Sequence, residues 1–211
     1  MAAQTKRDNG YPYLILFGAA GLGFLWYRSR QRSVKPPLPG SAHPGSGTGE
    51  PAHGRAPGQV PRVLTAMPPS TAVELIRLLT ASELGREYTN EAGLMLAAHS
   101  ALETGNWQSM YNYNFGNVTT GGSRPWFLNP ESDTIHKYID ERNPEEGAMA
   151  FVRLILRKYQ PCVYAAKVGD PALYARKLKE GGYYEAPVEQ YTATLTKLYS
   201  TFVTKYGWKP V

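Results

Sequence analysis

Residues Leu96 to Asn117 read LAAHSALETGNWQSMYNYNFGN, an apolar helical pattern that ends on one carboxylate and runs into a dense set of aromatics and asparagines. Thr89 or Asn90 can cap this helix, Met95, Ala98 and Leu102 mark one of its faces, and Gly105 is a residue suited to its C-terminal stop. Glu103 therefore sits in the last turn, at the negative end of the helix dipole, which disfavours its charged form. Shielding by Trp107, Phe115 or the nearby tyrosines would raise its pKa further. A carboxylic acid that keeps its proton near neutral pH can pass it to the oxygen of a leaving alcohol. Position alone favours a solvated glutamate near a helix end, so the residues that follow carry the weight. Asn112, Asn114 and Asn117 offer donors and acceptors for hydroxyls and amides. Tyr111, Tyr113 and Phe115 offer faces for a ring, and Gly116 permits a close backbone approach. The bland reading of these groups is a polar loop pinned by aromatic packing.

The surrounding chain, from Ser70 to Val211, has the periodicity of a helical domain. Thr71 and Glu74 have capping-box spacing, with Val73, Ile76, Leu79 and Leu84 as a buried stripe behind them. Further helices are expected over Ala148 to Tyr159, Pro171 to Leu178 and Val188 to Tyr206. A small hairpin is expected within Val118 to Tyr138, turning at Thr120 to Ser123, "TGGS". No internal repeat is visible.

Charge excludes an obvious class of partner. Of 23 basic and 17 acidic residues, 8 and 2 lie in the first 69, which leaves residues 70–211 with 15 of each. A nucleic-acid-binding face would put the excess on the folded part, so no nucleic-acid partner is expected. Cys162 is the only cysteine and permits no internal disulfide. His43, His53, His99 and His136 are scattered, and no metal or other cofactor is expected.

The first 69 residues divide in two. Tyr11 to Tyr27, YPYLILFGAAGLGFLWY, carries no charge, has aromatics at both ends and is followed by Arg28, Arg30, Arg32 and Lys35. This is the pattern of a single membrane span at the short end of the usual length. No small-residue cleavage site of the A-x-A kind follows Tyr27, so an uncleaved anchor within residues 1–32 is expected, with a lipid membrane as its partner. The cationic flank would by itself keep the C-terminal part in the cytoplasm. Residues 33–69 are crowded with Pro, Gly and small polar groups and read as a flexible linker, able to hold the domain at 70–211 away from a membrane.

The motif AHSALETGNWQSMYNYNFGN resembles the glucosaminidase-type peptidoglycan hydrolases of glycoside hydrolase family 73, within the lysozyme-like superfamily. Ala98 to Gly105 are similar to that family's helix end, Ser109 to its spacer, and Asn114, Phe115 and Gly116 to its second element. NPEEGAMAFVRLILRKY (Asn143 to Tyr159) and GDPALYARKLKEGGYYEAPVEQYTATL (Gly169 to Leu195) resemble its C-terminal half. The resemblance implies a lysozyme-like helical domain with a small β-hairpin lobe, acting on the glycan strands of peptidoglycan. By the same resemblance Glu103 is the general acid and Tyr183 an active-site tyrosine. Trp107, Asn112, Tyr113, Asn114, Phe115, Gly116 and Asn117 would meet the substrate. His99, one turn before Glu103, stands where relatives carry His or Gln for packing. The family's Leu-Phe-Gly-Ile is replaced by YNFGNV, and its second carboxylate has no clear match among Glu131, Asp133, Asp140 and Glu141. That leaves a hydrolase, a lytic transglycosylase using Glu103 alone, or a non-catalytic wall-binding or assembly protein. With the anchor, the expected place is a single-pass membrane protein whose domain faces the cell wall or periplasm, or a virion membrane if the chain is phage-encoded.

Overall fold

A computed structural model of the chain describes residues 56–207, apart from residue 123 and residues 130–132. Among the described residues the architecture is mainly helical. It has α1 (Pro69–Leu84), α2 (Asn90–Glu103), α3 (Pro144–Lys158), α4 (Gln160–Lys167), α5 (Pro171–Glu180) and α6 (Val188–Tyr206), with a short antiparallel pair, β1 (Trp126–Asn129) and β2 (Asp133–Ile139), between α2 and α3.

The centre of the fold is α2. Every residue from Ala92 to Ala101 is buried, because α1, α4 and α6 all pack on it. A helix apolar on all sides belongs inside a protein. The small residues Ala92, Gly93, Ala97, Ala98 and Ala101 let its neighbours approach. Glu103 is the last residue of this helix, so the core itself fixes where its side chain starts.

The helix starts show which local signals the chain uses. Thr89 is the cap of α2: its hydroxyl accepts from the Ala92 N–H at 3.2 Å and donates to the Lys167 carbonyl at 3.0 Å. Thr89→Ala removes both bonds and should cost about 1–2 kcal/mol in denaturant unfolding. The capping-box spacing of Thr71 and Glu74 is not used. α1 starts at Pro69, with Pro68 before it and no side-chain cap, because proline in the first turn has no N–H to satisfy. The third helix begins at Pro144 rather than Ala148, since the Asn143 side chain accepts from the Glu146 N–H at 2.9 Å. α4 was not foreseen: Pro161 occupies its first turn and conceals a helix start as a break.

The hairpin forms, but TGGS is not its turn. Trp126 pairs with Ile139 and Phe127 with Tyr138, so β1 and β2 are joined through residues 130–132, and TGGS precedes β1. A bridge from Thr119 to Tyr138 extends the pairing on the far side of β2, and a parallel bridge from Gln59 to Trp126 extends it beyond β1.

That last bridge belongs to a strap that shortens the expected linker. N–H groups of Val60, Thr65 and Met67 donate to the carbonyls of Trp126, Met110 and Trp107 at 2.8, 2.9 and 3.1 Å. Val63 N–H donates to Asn112 Oδ1 at 2.7 Å. The segment is held by backbone hydrogen bonds while Val63 and Leu64 stay more than half exposed. A reading based on the lack of bulky apolar residues therefore missed it. No helix among the described residues is long and apolar enough to cross a membrane. The span expected over residues 11–27 lies outside the described residues.

Candidate functional site

The loop after Glu103 explains its own composition. Gly105, Asn106 and Trp107 have φ of 58, 58 and 59°, and Asn112, Tyr113 and Asn117 have 51, 50 and 49°. Gln108 N–H donates to the Gly105 carbonyl at 3.3 Å and Asn114 N–H to the Tyr111 carbonyl at 2.9 Å. Two turns thus carry positive φ at both central residues, the signature of type I′ turns. Asparagine tolerates this region better than other non-glycine residues. Trp107 and Tyr113 do so at a cost of about 1–2 kcal/mol each.

This geometry corrects most of the expected substrate contacts. Trp107 is fully buried, stacked on Phe202 with its indole N–H donating to Ser100 Oγ at 2.9 Å. Asn112 is a clip for the strap and the sheet: its amide donates to the Pro61 carbonyl at 2.9 Å and to Asp140 Oδ1 at 2.6 Å. Asn114 brackets Val118, accepting from its N–H at 2.7 Å and donating to its carbonyl at 2.9 Å. Phe115 is fully buried. At Gly116 an added Cβ would lie 2.5 Å from Phe151 Cδ2, so the glycine makes room for a core ring rather than for a ligand. Tyr113 and Asn117 keep partial exposure. The Asn117 amide donates to the Glu103 carbonyl, satisfying one of the unpaired acceptors at the helix end.

Glu103 itself is sealed, with 2 % of its side chain exposed. The Tyr191 hydroxyl donates to Glu103 Oε1 at 3.2 Å, and His99 Nε2 faces the same oxygen at 3.4 Å. Burial pushes the Glu103 carboxyl well above the usual carboxylate range, and the Tyr191 hydrogen bond opposes this in part. Burial holds His99 neutral, its pKa pushed down to about 3. The imidazole is walled edge-on by Tyr183, Phe151 and Tyr174 at 4.6, 5.2 and 5.7 Å between ring centres. Its Nδ1 pairs with the Tyr174 hydroxyl at 2.9 Å. Among the described residues, no group of three or more His, Cys, Asp or Glu side chains is placed to hold a metal ion.

The two expected catalytic residues part here. Tyr183 is fully buried, and its hydroxyl donates to the Gly116 carbonyl at 3.5 Å; it walls the histidine and makes no hydrogen bond to the acid. The tyrosine on the acid is Tyr191, which sequence reasoning did not single out. Its signal was the buried stripe Tyr191, Leu195, Tyr199 and Phe202 along α6, on which a hydroxyl must find a polar partner.

Of the four other carboxylates, Glu131 lies outside the described residues, as does the side chain of Asp133. Asp140 accepts from Asn112. Glu141 pairs with Arg124, and burial raises its pKa against the pull of that guanidinium. Glu141 lines a cavity of about 1130 Å³ with Val118, Ile139, Met149 and Arg153, between the hairpin and α3, and Glu103 is not among its lining residues. The loop 116–118 relates the two places, since Asn117 holds the Glu103 carbonyl and Val118 lines the cavity.

Compared with protein-family models, with curated proteins and with solved structures, the chain matches none of them.

Proposed function

We propose that residues 70–211, with the strap before them, form a lysozyme-like domain that cleaves the β-1,4 bonds between N-acetylglucosamine and N-acetylmuramic acid in peptidoglycan, Glu103 acting as general acid. One observation carries this reading: a carboxyl in the last turn of a buried helix, 2 % exposed and with its pKa raised by burial, is kept in its acid form. That is the protonation state a glycosidic leaving group requires. The motif resemblance adds the substrate class. Because the side chain is sealed, a glycosidic oxygen reaches it only when part of the cover opens. In the same proposal residues 11–27 are a single-pass anchor and the following segment a tether. The domain then faces the cell wall or periplasm, or a virion membrane if the chain is phage-encoded.

A second reading shares the acid and changes the product. Asp140 and Glu141 are both engaged with partners of their own, which favours a lytic transglycosylase with Glu103 as its only acid and base. Zymography on purified walls with the full-length protein tests the shared step. Clearing is expected, and its loss by about 10²–10⁴-fold in Glu103→Gln. Equal clearing by both proteins removes Glu103 from the chemistry, and no clearing by either favours a wall-binding or assembly role. Mass spectrometry of the products separates the enzymes. A reducing N-acetylglucosamine end means glucosaminidase, a reducing N-acetylmuramic acid end means muramidase, and a 1,6-anhydro end means transglycosylase.

A further inference from the structure

We propose that His99 and Tyr191 are positioning residues that bring two donor groups to Glu103 Oε1 and so confine the transferable proton to Oε2. That the proton is transferable rests on the proposed function; the arrangement of the groups around Oε1 does not. Tyr191 O–H donates to Oε1 at 3.2 Å. His99 Nε2, fully buried, stands 3.4 Å from the same atom; the contact is not a formed hydrogen bond and Nε2 makes none elsewhere, so it is an orphaned polar atom facing that oxygen. At its other end Nδ1 meets the Tyr174 hydroxyl at 2.9 Å.

The tautomer decides what Nε2 offers. A phenol is a better donor than acceptor, and a neutral imidazole nitrogen is the better acceptor of the pair. The Tyr174 hydroxyl also meets the Cys162 thiol; with the thiol S–H donating to the phenol oxygen, the phenol O–H serves Nδ1. That choice places the ring hydrogen on Nε2, the nitrogen nearest Glu103 Oε1. Two donors on one carboxyl oxygen leave the other as the site of the acid proton, because an O–H on Oε1 would oppose both. The titratable groups around the pair are the phenols of Tyr174, Tyr183 and Tyr191, with Tyr159 behind Tyr183 and Cys162 behind Tyr174. All of these stay uncharged at neutral pH, so no fixed charge competes for the carboxyl.

The geometry also ranks substitutions. Gln at position 99 keeps a donor on a side chain of similar reach, whereas Leu keeps only bulk. Tyr191→Phe keeps the ring and its stack on Tyr184 but removes the donor. Both donors favour the carboxylate over the acid, so losing either should raise the Glu103 titration.

Nitrogen NMR of the full-length protein reads the His99 tautomer directly, and carbon NMR of the labelled Glu103 carboxyl reads its titration. The expected result is a proton on Nε2, a titration raised by about one pH unit (tenfold in the proton equilibrium) in Tyr191→Phe and His99→Leu, and one close to wild type in His99→Gln. The alkaline limb of kcat/KM on peptidoglycan should move with it, which a merely structural role would not cause. A proton on Nδ1 overturns the proposal on the wild-type protein alone. So does an unchanged Glu103 titration in both Tyr191→Phe and His99→Leu. A protein that cuts no glycan yet shows the Nε2 proton and these shifts retains the positioning pair and refutes the glycosidase reading instead.

Discussion

Glu103→Gln should give a protein that is more stable than wild type at pH 7–8 and, on the proposed function, inactive. The two effects share one cause. The unfolded Glu103 has an ordinary pKa near 4.5, while burial raises that of the folded form. Between these values the folded protein binds a proton that the unfolded chain does not, so stability falls as pH rises, by up to about 1.4 kcal/mol per unit. Glutamine has nearly the same shape, keeps an oxygen to accept from Tyr191, and takes up no proton on folding. Against this stands the cost of burying its amide N–H groups. The variant should be the more stable protein at pH 7–8, and its gain should shrink to nothing or reverse at pH 4.5. Urea unfolding of both proteins at the two pH values measures it. A difference that is the same at both would mean that the carboxyl is not held in its acid form by burial. Stability surrendered at one buried group is the usual cost of a site built for chemistry, whereas a solvated structural glutamate would show neither effect.

Much of the frame around that residue was legible in the sequence, and the misses have physical causes. Thr89 and Gly105 bound α2 because caps and left-handed stops act locally, and a local signal survives in a one-dimensional reading. The last helix, Val188–Tyr206, was found whole because its apolar stripe is long. Polar side chains were harder to interpret. Asn112, Asn114 and Asn117 were expected to meet a ligand; two of them, with Asn106, supply positive φ instead, Asn114 spends its amide on the backbone, and Asn112 divides its own between the backbone and Asp140. Sequence alone does not distinguish an asparagine that binds a sugar from one that closes a turn, since both tasks need the same short amide. Tyr183 and Tyr191 make the same point. The raised pKa of Glu103 was foreseen from the shielding expected of its aromatic neighbours, and burial is its cause, but which phenol reaches its oxygen depends on how α6 packs against α2, a long-range property. The strap was hidden for the opposite reason: it buries little and bonds through N–H groups that every residue except proline carries.

The wild-type protein should show a nearly flat stability between about pH 4.5 and 6.5, with a decline on each side, and His99 and Glu103 together account for it. His99 is neutral in the fold, with its pKa pushed from 6.5 down to about 3. Below pH 6.5 the unfolded chain binds a proton there that the folded protein refuses, so stability is lost as pH falls, by about 1.4 kcal/mol per unit. Glu103 has the opposite sign, losing stability as pH rises above 4.5. Where the windows overlap the slopes cancel, save for a smaller contribution from Glu141, whose pKa is also raised. Below 4.5 Glu103 drops out and His99 acts with Glu83, whose pKa Arg153 and Arg157 hold down. Cys162, Tyr159 and Tyr184, each pushed up to about 12, do not titrate in this range. His99→Gln isolates the histidine, because among the described residues it is the group with a resolved shift whose window spans pH 4.5–6.5 and whose sign favours higher pH. In that variant the plateau should become a slope falling with rising pH, approaching 1.4 kcal/mol per unit. Denaturant unfolding at half-unit steps from pH 4 to 8 would show it. A plateau that survives the substitution would mean that the imidazole is charged in the fold, and with a charged neighbour 3.4 Å away Glu103 would be a carboxylate and not an acid.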